Sequence, residues 1–471
     1  MRRVLVSVGV VLALLAGYAV ADAEDVVPGV LTLTPARPAA PAGTAAAAGD
    51  PSTSGWPPTT PAAAVLGAPN PDAPLPSPAV LSGRLTTVLG RLGAGGAGQV
   101  VDVATGRVLF SRGAASPRTP ASTTKLLTAV SVLTGLGPAA RLTTKVVSAL
   151  PGQIVLVGGG DIRLSSGVGS STAVYGHAGL DTLAAQTATA LKAAGTQRVS
   201  LGFDDSLFSG PSLSPHWVPS DSASGMVGPV TALGLNAKAA VDGVRAPADP
   251  SLVTAVAFAG DLTRLGISVT GIPHRVRAAA GASVLGSVQS ASIGELLDYT
   301  LTVSDNTEAE VLARLGAVAA GRPGSFTGAA EQNVAAAAAL HVPVTGVRLY
   351  DGSGLARADL IPPQTLTWLV ATAAGTAHPA LRSLFAGLPI AGLTGTLTPR
   401  FADPTTRVGA GIVRAKTGTL AGVNTLAGTT LDADGRLLAF AFMASHPTAT
   451  SAPGRQQVDR AAAVVTACGC A

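Results

Sequence analysis

The 471-residue sequence predicts an α/β protein of the α+β kind: an antiparallel sheet flanked by helices, with a large domain inserted into it. Three observations carry that reading. Between Ala79 and Leu133 a helix, a β-hairpin and a second helix follow one another. Residues 412–465 hold three strand signals and a closing helix. Between these flanks, roughly over 147–285, strand and helix signals alternate, which reads as a separate inserted unit. The length accommodates one large domain or two to three ordinary ones.

At the N-terminus, Arg2 and Arg3 precede an apolar run from Val4 to Ala21, followed by small residues and the acidic pair Glu24 and Asp25. A positive end, an apolar middle and a small-residue exit describe a secretory signal peptide, and an uncleaved membrane anchor is the rival. Residues 1–23 are therefore read as signal peptide or anchor, and 24–78 as a Pro/Ala-rich disordered linker without sustained periodicity. The globular part then divides into 79–146, the insert at 147–285, and 286–471. Export places it outside the cytoplasmic membrane, which it touches only through the N-terminal segment.

Within the first part, Val80, Leu81, Leu85, Val88, Leu89 and Leu92 mark one side of a helix, and Gln99–Val103 with Arg107–Phe110 form the hairpin. In the insert, Lys145–Val147 and Gln153–Val157 read as strands, Gly158–Gly160 as a break, and Leu180–Ala194 as an amphipathic helix. Arg198–Leu201, Pro250–Leu265 and Gly266–Val269 continue as strand, helix and strand. Ser292 and Glu295 have capping-box spacing and open the next helix. Thr307–Val318 is another helix, and Asp351–Gly354 a tight turn.

The formal charge of +5 is modest for this length and the arginines are scattered, so nucleic acid is not an expected partner. The two cysteines, Cys468 and Cys470, are able to oxidise in an exported protein, although so short a loop is strained. They lack a second ligand pair and the six histidines are dispersed, so a metal site is not expected.

Three short segments carry chemistry. Ser122 and Lys125 stand three residues apart at a helix start, which brings the amine one turn from the hydroxyl. A serine becomes a strong nucleophile only when a neighbouring base takes its proton. The bland alternative is a capping serine with a solvated lysine. Ser304-Asp305-Asn306 taken alone is a polar connection between helices, and Lys416-Thr417-Gly418 an exposed strand end. Together and in this order, the three form the signature shared by penicillin-binding proteins and class A β-lactamases.

Around these motifs, Ser304–Glu310, Asp351–Leu355 and Val413–Thr419 resemble the low-molecular-mass class C penicillin-binding proteins, the D-alanyl-D-alanine carboxypeptidase/endopeptidase family. The Gly158–Asp161 turn is similar as well, whereas Ile162-Arg163 departs from the usual pattern. The resemblance spans residue 79 to the end. It implies the penicillin-recognising serine D,D-peptidase fold with its insert between the first and second motifs. Implied partners are peptidoglycan stem peptides and β-lactam antibiotics, and the implied chemistry needs no metal or organic cofactor.

By resemblance, Ser122 is the nucleophile, Lys125 its base, and Ser304 a proton relay to the departing amine. Asn306 holds the substrate's peptide group, and Lys416, Thr417 and Thr419 take its terminal carboxylate. Gly418 allows close approach of the peptide, and the N–H groups of Ser122 and Thr419 form an oxyanion hole. Burial and the neighbouring Lys416 are expected to lower the Lys125 pKa. Asp351 and Arg357 are read as structural. A β-lactamase and a non-catalytic wall-binding protein on the same scaffold are the alternatives. Carboxypeptidase against endopeptidase action stays open.

Overall fold

The computed structural model describes residues 69–235, 246–445 and 452–469. The signal or anchor segment, most of the linker and Cys470 lie outside the described residues. Among the described residues, no helix is long and apolar enough to cross a membrane.

The helix predicted from the leucine spacing is α1 (Pro78–Gly90). It buries Leu81, Leu85 and Leu89 but leaves Val80 exposed, so its apolar stripe is narrower than the sequence suggests. The hairpin follows as β1 (Gly96–Asp102) and β2 (Val108–Arg112), with a register shift between Val100 and Val101. The last part of the chain supplies β8 (Arg414–Leu420), β9 (Val423–Leu431) and β10 (Leu437–Ser445). These five strands form one fully antiparallel sheet in the order β2-β1-β10-β9-β8. The sheet closes between segments more than 300 residues apart in the chain, because β1 pairs with β10 from Gly96↔Ala444 to Asp102↔Leu438.

β10 shows why both faces of this sheet are covered. Alternate side chains of a strand point to opposite faces. Leu438, Phe440, Phe442 and Ala444 enter a core with α1 and the closing helix α9 (Ala452–Thr466). Ala439, Ala441 and Met443 face the other way. There they meet α2 (Lys125–Gly135), α5 (Ile293–Val303), α6 (Asn306–Ala319), α7 (Phe326–Ala339) and α8 (Pro363–Ala374). Cys468 is buried in the α1/α9 core.

A second sheet runs from Arg141 to Ser292, a few residues beyond either end of the 147–285 block read from the sequence. Its strands are β3 (Arg141–Leu150), β4 (Gln153–Val157), β5 (Arg198–Asp204), β6 (Ser268–Arg275) and β7 (Ser283–Ser292). They lie in the order β6-β5-β4-β3-β7. Parallel neighbours need a crossover. Helix α3 (Leu180–Ala193) lies between β4 and β5 in the chain, and α4 (Pro250–Arg264) between β5 and β6; both of those strand pairs are parallel. The entering strand β3 pairs antiparallel with the leaving strand β7, so the chain returns beside the point where it left. Ser292 then caps α5 as its spacing predicts: its Oγ accepts from Glu295 N–H and the Glu295 carboxylate accepts from Ser292 N–H at 2.8 Å.

Phe440 and Phe442 are fully buried, with ring centroids 5.2 Å apart, at the centre of the α1/α9 core. Phe440→Ala is expected to lower unfolding stability by about 3–5 kcal/mol through lost transfer energy and a cavity. Urea denaturation measures it, and a change below about 1 kcal/mol would show that the ring is not packed as described.

Candidate active site

The turn before α2 places the first motif. Ala121–Thr124 form a tight 3-10 turn that runs directly into α2 at Lys125. The turn is capped at Pro120 and α2 at Thr124, so Ser122 is not the capping residue, and its Oγ lies instead beside Lys125 Nζ. Ala121 has φ 48°, a left-handed conformation uncommon for a residue with a side chain. It is held by a close neighbour: Gly354, at φ +79°, lies so near that a Cβ on it would sit 1.9 Å from the Ala121 carbonyl oxygen. Only glycine fits at Gly354, on both counts.

Lys125 is 1 % exposed, and its ammonium nitrogen has three partners. It lies 3.0 Å from Ser122 Oγ, 2.7 Å from Asn306 Oδ1 and 2.9 Å from the Ser353 carbonyl oxygen. The last two can only accept hydrogen bonds. A neutral amine has two N–H groups, which satisfy both, and one lone pair, which then faces the Ser122 hydroxyl. Loss of one proton from Lys125 therefore changes a single contact, turning the amine from donor to acceptor toward Ser122. Burial brings the Lys125 pKa down to about 8, against the opposing pull of the carboxylates of Asp351, Glu310 and Asp305.

The second motif sits where α5 ends and α6 begins. Ser304 takes φ 64° as the last residue of that turn, and Asp305 caps α6 by accepting from Glu308 N–H at 3.0 Å. Residues on either side of Asp305 reach the two lysines. Ser304 Oγ accepts from Lys416 Nζ at 2.9 Å, and Asn306 bridges Lys125 to the Met226 carbonyl, to which its Nδ2 donates at 2.8 Å.

The third motif lies on the edge strand β8. Lys416 is fully buried and also donates to the Thr417 carbonyl at 3.0 Å. Its pKa lies well below the usual lysine value because of burial, then the charges of Lys125 and Arg400. The cation-on-cation effect expected on Lys125 thus falls on Lys416, whereas burial lowers Lys125, where three carboxylates work the other way. Thr417 is buried with its hydroxyl 2.8 Å from that of Thr396, and Thr419 is exposed. Gly418 packs against the first motif: a Cβ there would lie 2.7 Å from the Pro120 carbonyl and 2.1 Å from Thr425 Oγ1. All eight residues singled out in the sequence thus belong to three segments that meet.

Of the supporting residues, Asp351 and Arg357 were read as structural, whereas Glu310 and Arg163 were given no role. Glu310 accepts from Gly352 N–H at 2.9 Å and Ser353 N–H at 2.8 Å, fixing the carbonyl that Lys125 needs. Burial and neighbouring Asp351 push its pKa up to about 8. The signal was its spacing, four residues after Asn306 on one helix. Asp351 accepts from Gly354 N–H, Ala356 N–H and Trp217 Nε1, each at 2.7 Å, and Arg357 pairs with Asp221 at 3.1 Å. Arg163 is buried against the second motif, with no local signal in the sequence beyond its departure from the family pattern.

A half-buried serine beside a buried lysine, with a second buried lysine on a sheet edge, on an antiparallel sheet flanked by helices, defines the class of penicillin-recognising serine hydrolases. The sequence pattern of the D-Ala-D-Ala carboxypeptidase 3 (S13) family matches residues 83–245 and 237–465, and the chain belongs to that family. It is 38% identical over 381 residues to carboxypeptidase DacB of Mycolicibacterium smegmatis, covering 79% of this chain and 80% of the relative. It is 36% identical over 425 residues to a carboxypeptidase of Mycobacterium tuberculosis, covering 88% and 89%. Penicillin binding protein 4 of Haemophilus influenzae shares the fold at a TM-score of 0.66 and 22% identity, over 80% of this chain and 97% of that one.

Lys125 is expected to titrate near pH 8, charged below and neutral above, in place of the usual lysine value near 10.5. Nitrogen NMR of the lysine side chains, with Lys125→Arg to assign the resonance, measures it. An unshifted titration would mean that the amine is solvated.

Proposed function

We propose that this chain hydrolyses the bond between the last two D-alanines of peptidoglycan stem peptides, through an acyl-enzyme on Ser122. Its family is that of D-Ala-D-Ala carboxypeptidases, and its work lies outside the cytoplasmic membrane, where this polymer is. Residues 1–23 as signal or anchor, 24–78 as linker and 147–285 as insert between two catalytic parts complete the proposal.

The observation that carries it is the Lys125 nitrogen, 2.7 and 2.9 Å from two oxygens that can only accept and 3.0 Å from Ser122 Oγ, so that the neutral amine turns its lone pair to the hydroxyl. In this reading neutral Lys125 takes the hydroxyl proton as Ser122 Oγ attacks the carbonyl of the penultimate D-alanine. The N–H groups of Ser122 and Thr419 hold the resulting oxyanion. Ser304 relays a proton to the departing D-alanine amine, and water then hydrolyses the ester.

The substrate's terminal carboxylate goes to Lys416, with the hydroxyls of Thr417 and Thr419. Lys416 is a buried amine with neutral oxygen partners only, so an arriving carboxylate favours its charged form. That charge in turn favours neutral Lys125, the form required of a base. Asn306 keeps one amide hydrogen and one oxygen lone pair beyond its present bonds, enough for a substrate peptide group. A β-lactam presents an amide carbonyl and a carboxylate in similar order, so it acylates the same serine.

Two outcomes test this. Fluorescent penicillin is expected to label the wild type covalently and Ser122→Ala not at all, with D-alanine released from a pentapeptide stem by the wild type only. A label retained by Ser122→Ala would sink the proposal, and one lost within seconds would point to a β-lactamase. The second-order acylation rate is expected to climb as pH rises towards about 8, because only neutral Lys125 accepts the proton, and to fall again at higher pH as Lys416 loses its charge. A rate that is flat from pH 6 to 10 would exclude Lys125 as the base. Defined cross-linked muropeptides separate endopeptidase from carboxypeptidase action.

A further inference from the structure

We infer that Arg163 is a positioning residue for the reaction proposed above: its guanidinium grips Asp305 and Glu308 and so aims Ser304 and Asn306 at the two lysines. This rests on the Ser122 reading and extends it to a residue outside the three motifs.

Arg163 lies just after β4, in the turn Gly158–Arg163, and its side chain is 2 % exposed. Nη2 is 2.5 Å from Asp305 Oδ2 and Nε is 2.8 Å from Glu308 Oε2. One planar cation thus holds the cap residue of α6 and a residue in its first turn. The guanidinium carbon also stands 4.2 Å from the Tyr175 ring centroid, and Tyr175 OH donates to the same Asp305 oxygen at 3.0 Å. Asp305 uses its other oxygen for Glu308 N–H, so both oxygens of its carboxylate are engaged.

The consequence follows from alternation along the chain. Ser304 and Asn306 reach Lys416 and Lys125, while Asp305 between them points to Arg163. Ser304 holds a left-handed backbone at φ 64°, which persists only where its surroundings over-determine it. The Arg163 fork supplies part of that constraint. Its own backbone is tied at both ends: Arg163 N–H donates to Asp161 Oδ1 at 2.8 Å, and its carbonyl accepts from Gly176 N–H at 2.7 Å. A lysine here retains the charge but not the two-point grip, because only guanidinium offers donors in a fixed fork.

The test compares full-length wild type, Arg163→Gln, Arg163→Lys and Arg163→Gln/Glu308→Gln in fluorescent-penicillin acylation. Time courses over a concentration series separate the pre-acylation dissociation constant from the limiting acylation rate constant. Labelling at long times counts competent sites. Arg163→Gln is expected to reach one label per chain with the limiting rate lowered about 10- to 100-fold and the dissociation constant changed less than about threefold. Arg163→Lys is expected to fall between it and the wild type.

A limiting rate equal to wild type in fully competent Arg163→Gln overturns the inference. So does a loss found only in the number of competent sites, which is what a purely structural role produces. Should Arg163→Gln fail to fold, Arg163→Lys and the charge-balanced double variant carry the same comparison, and unchanged rates in both overturn it. An unlabelled wild type, or a labelled Ser122→Ala, defeats the Ser122 reading itself and takes this inference with it. That result appears before any Arg163 variant is measured.

Discussion

The site depends on keeping an amine where water cannot reach it. Lys125 lies among hydroxyl, amide and carbonyl oxygens and touches no carboxylate directly. Burying a charge without a paired counter-ion is costly, so the amine yields its proton near pH 8. The arrangement then works because the remaining valences are already committed. Two acceptors occupy the two N–H groups, and what is left points at the nucleophile. Removing either acceptor would leave the amine free to turn, and its lone pair would no longer have a defined direction.

Three carboxylates stand behind this amine and explain how the acceptors stay in place. Glu310 ties down the N–H groups of Gly352 and Ser353, and Asp351 those of Gly354 and Ala356, which presents the Ser353 carbonyl to Lys125. Asp359 accepts from Tyr350 N–H, and burial beside Asp351 holds its pKa well above the usual carboxylate value. Neutral acids and carboxylates bonded to N–H groups give shape without delivering full charge to the lysine. The Asp351–Gly354 segment, which reads as a tight turn, is therefore also a wall of the site.

The bland and the functional readings of the second motif turn out to be compatible. Asp305 caps a helix, as a polar residue between two helices would be expected to do. Its neighbours on either side face the lysines for the same reason, because a capping residue sets the direction in which the chain enters the helix. The fold asks little more of these residues than their chemistry does. Glu308, Glu310 and Arg314 break the local rule, as charged side chains fully buried in α6, and each is matched by partners from another part of the chain.

Much of this was legible in the residues alone. Apolar spacing marked α1, α3 and α4, turn residues marked the hairpins, and the three motifs stood in an order that chance seldom produces. Such features are local: periodicity and capping act over a few residues, so a short window contains their cause. What tertiary structure decided is long-range. The α7 and α8 helices were not foreseen: α7 is a run of alanines with few large apolar residues, and α8 interleaves threonine and alanine with its buried Leu366, Leu369 and Val370. That Lys416 bears the repulsion, that Ser353 offers its carbonyl, and that Arg163 reaches 142 residues along the chain to Asp305 depend on which surfaces meet. Sequence determined which groups could react; burial and contact between distant segments decided their charge and their aim.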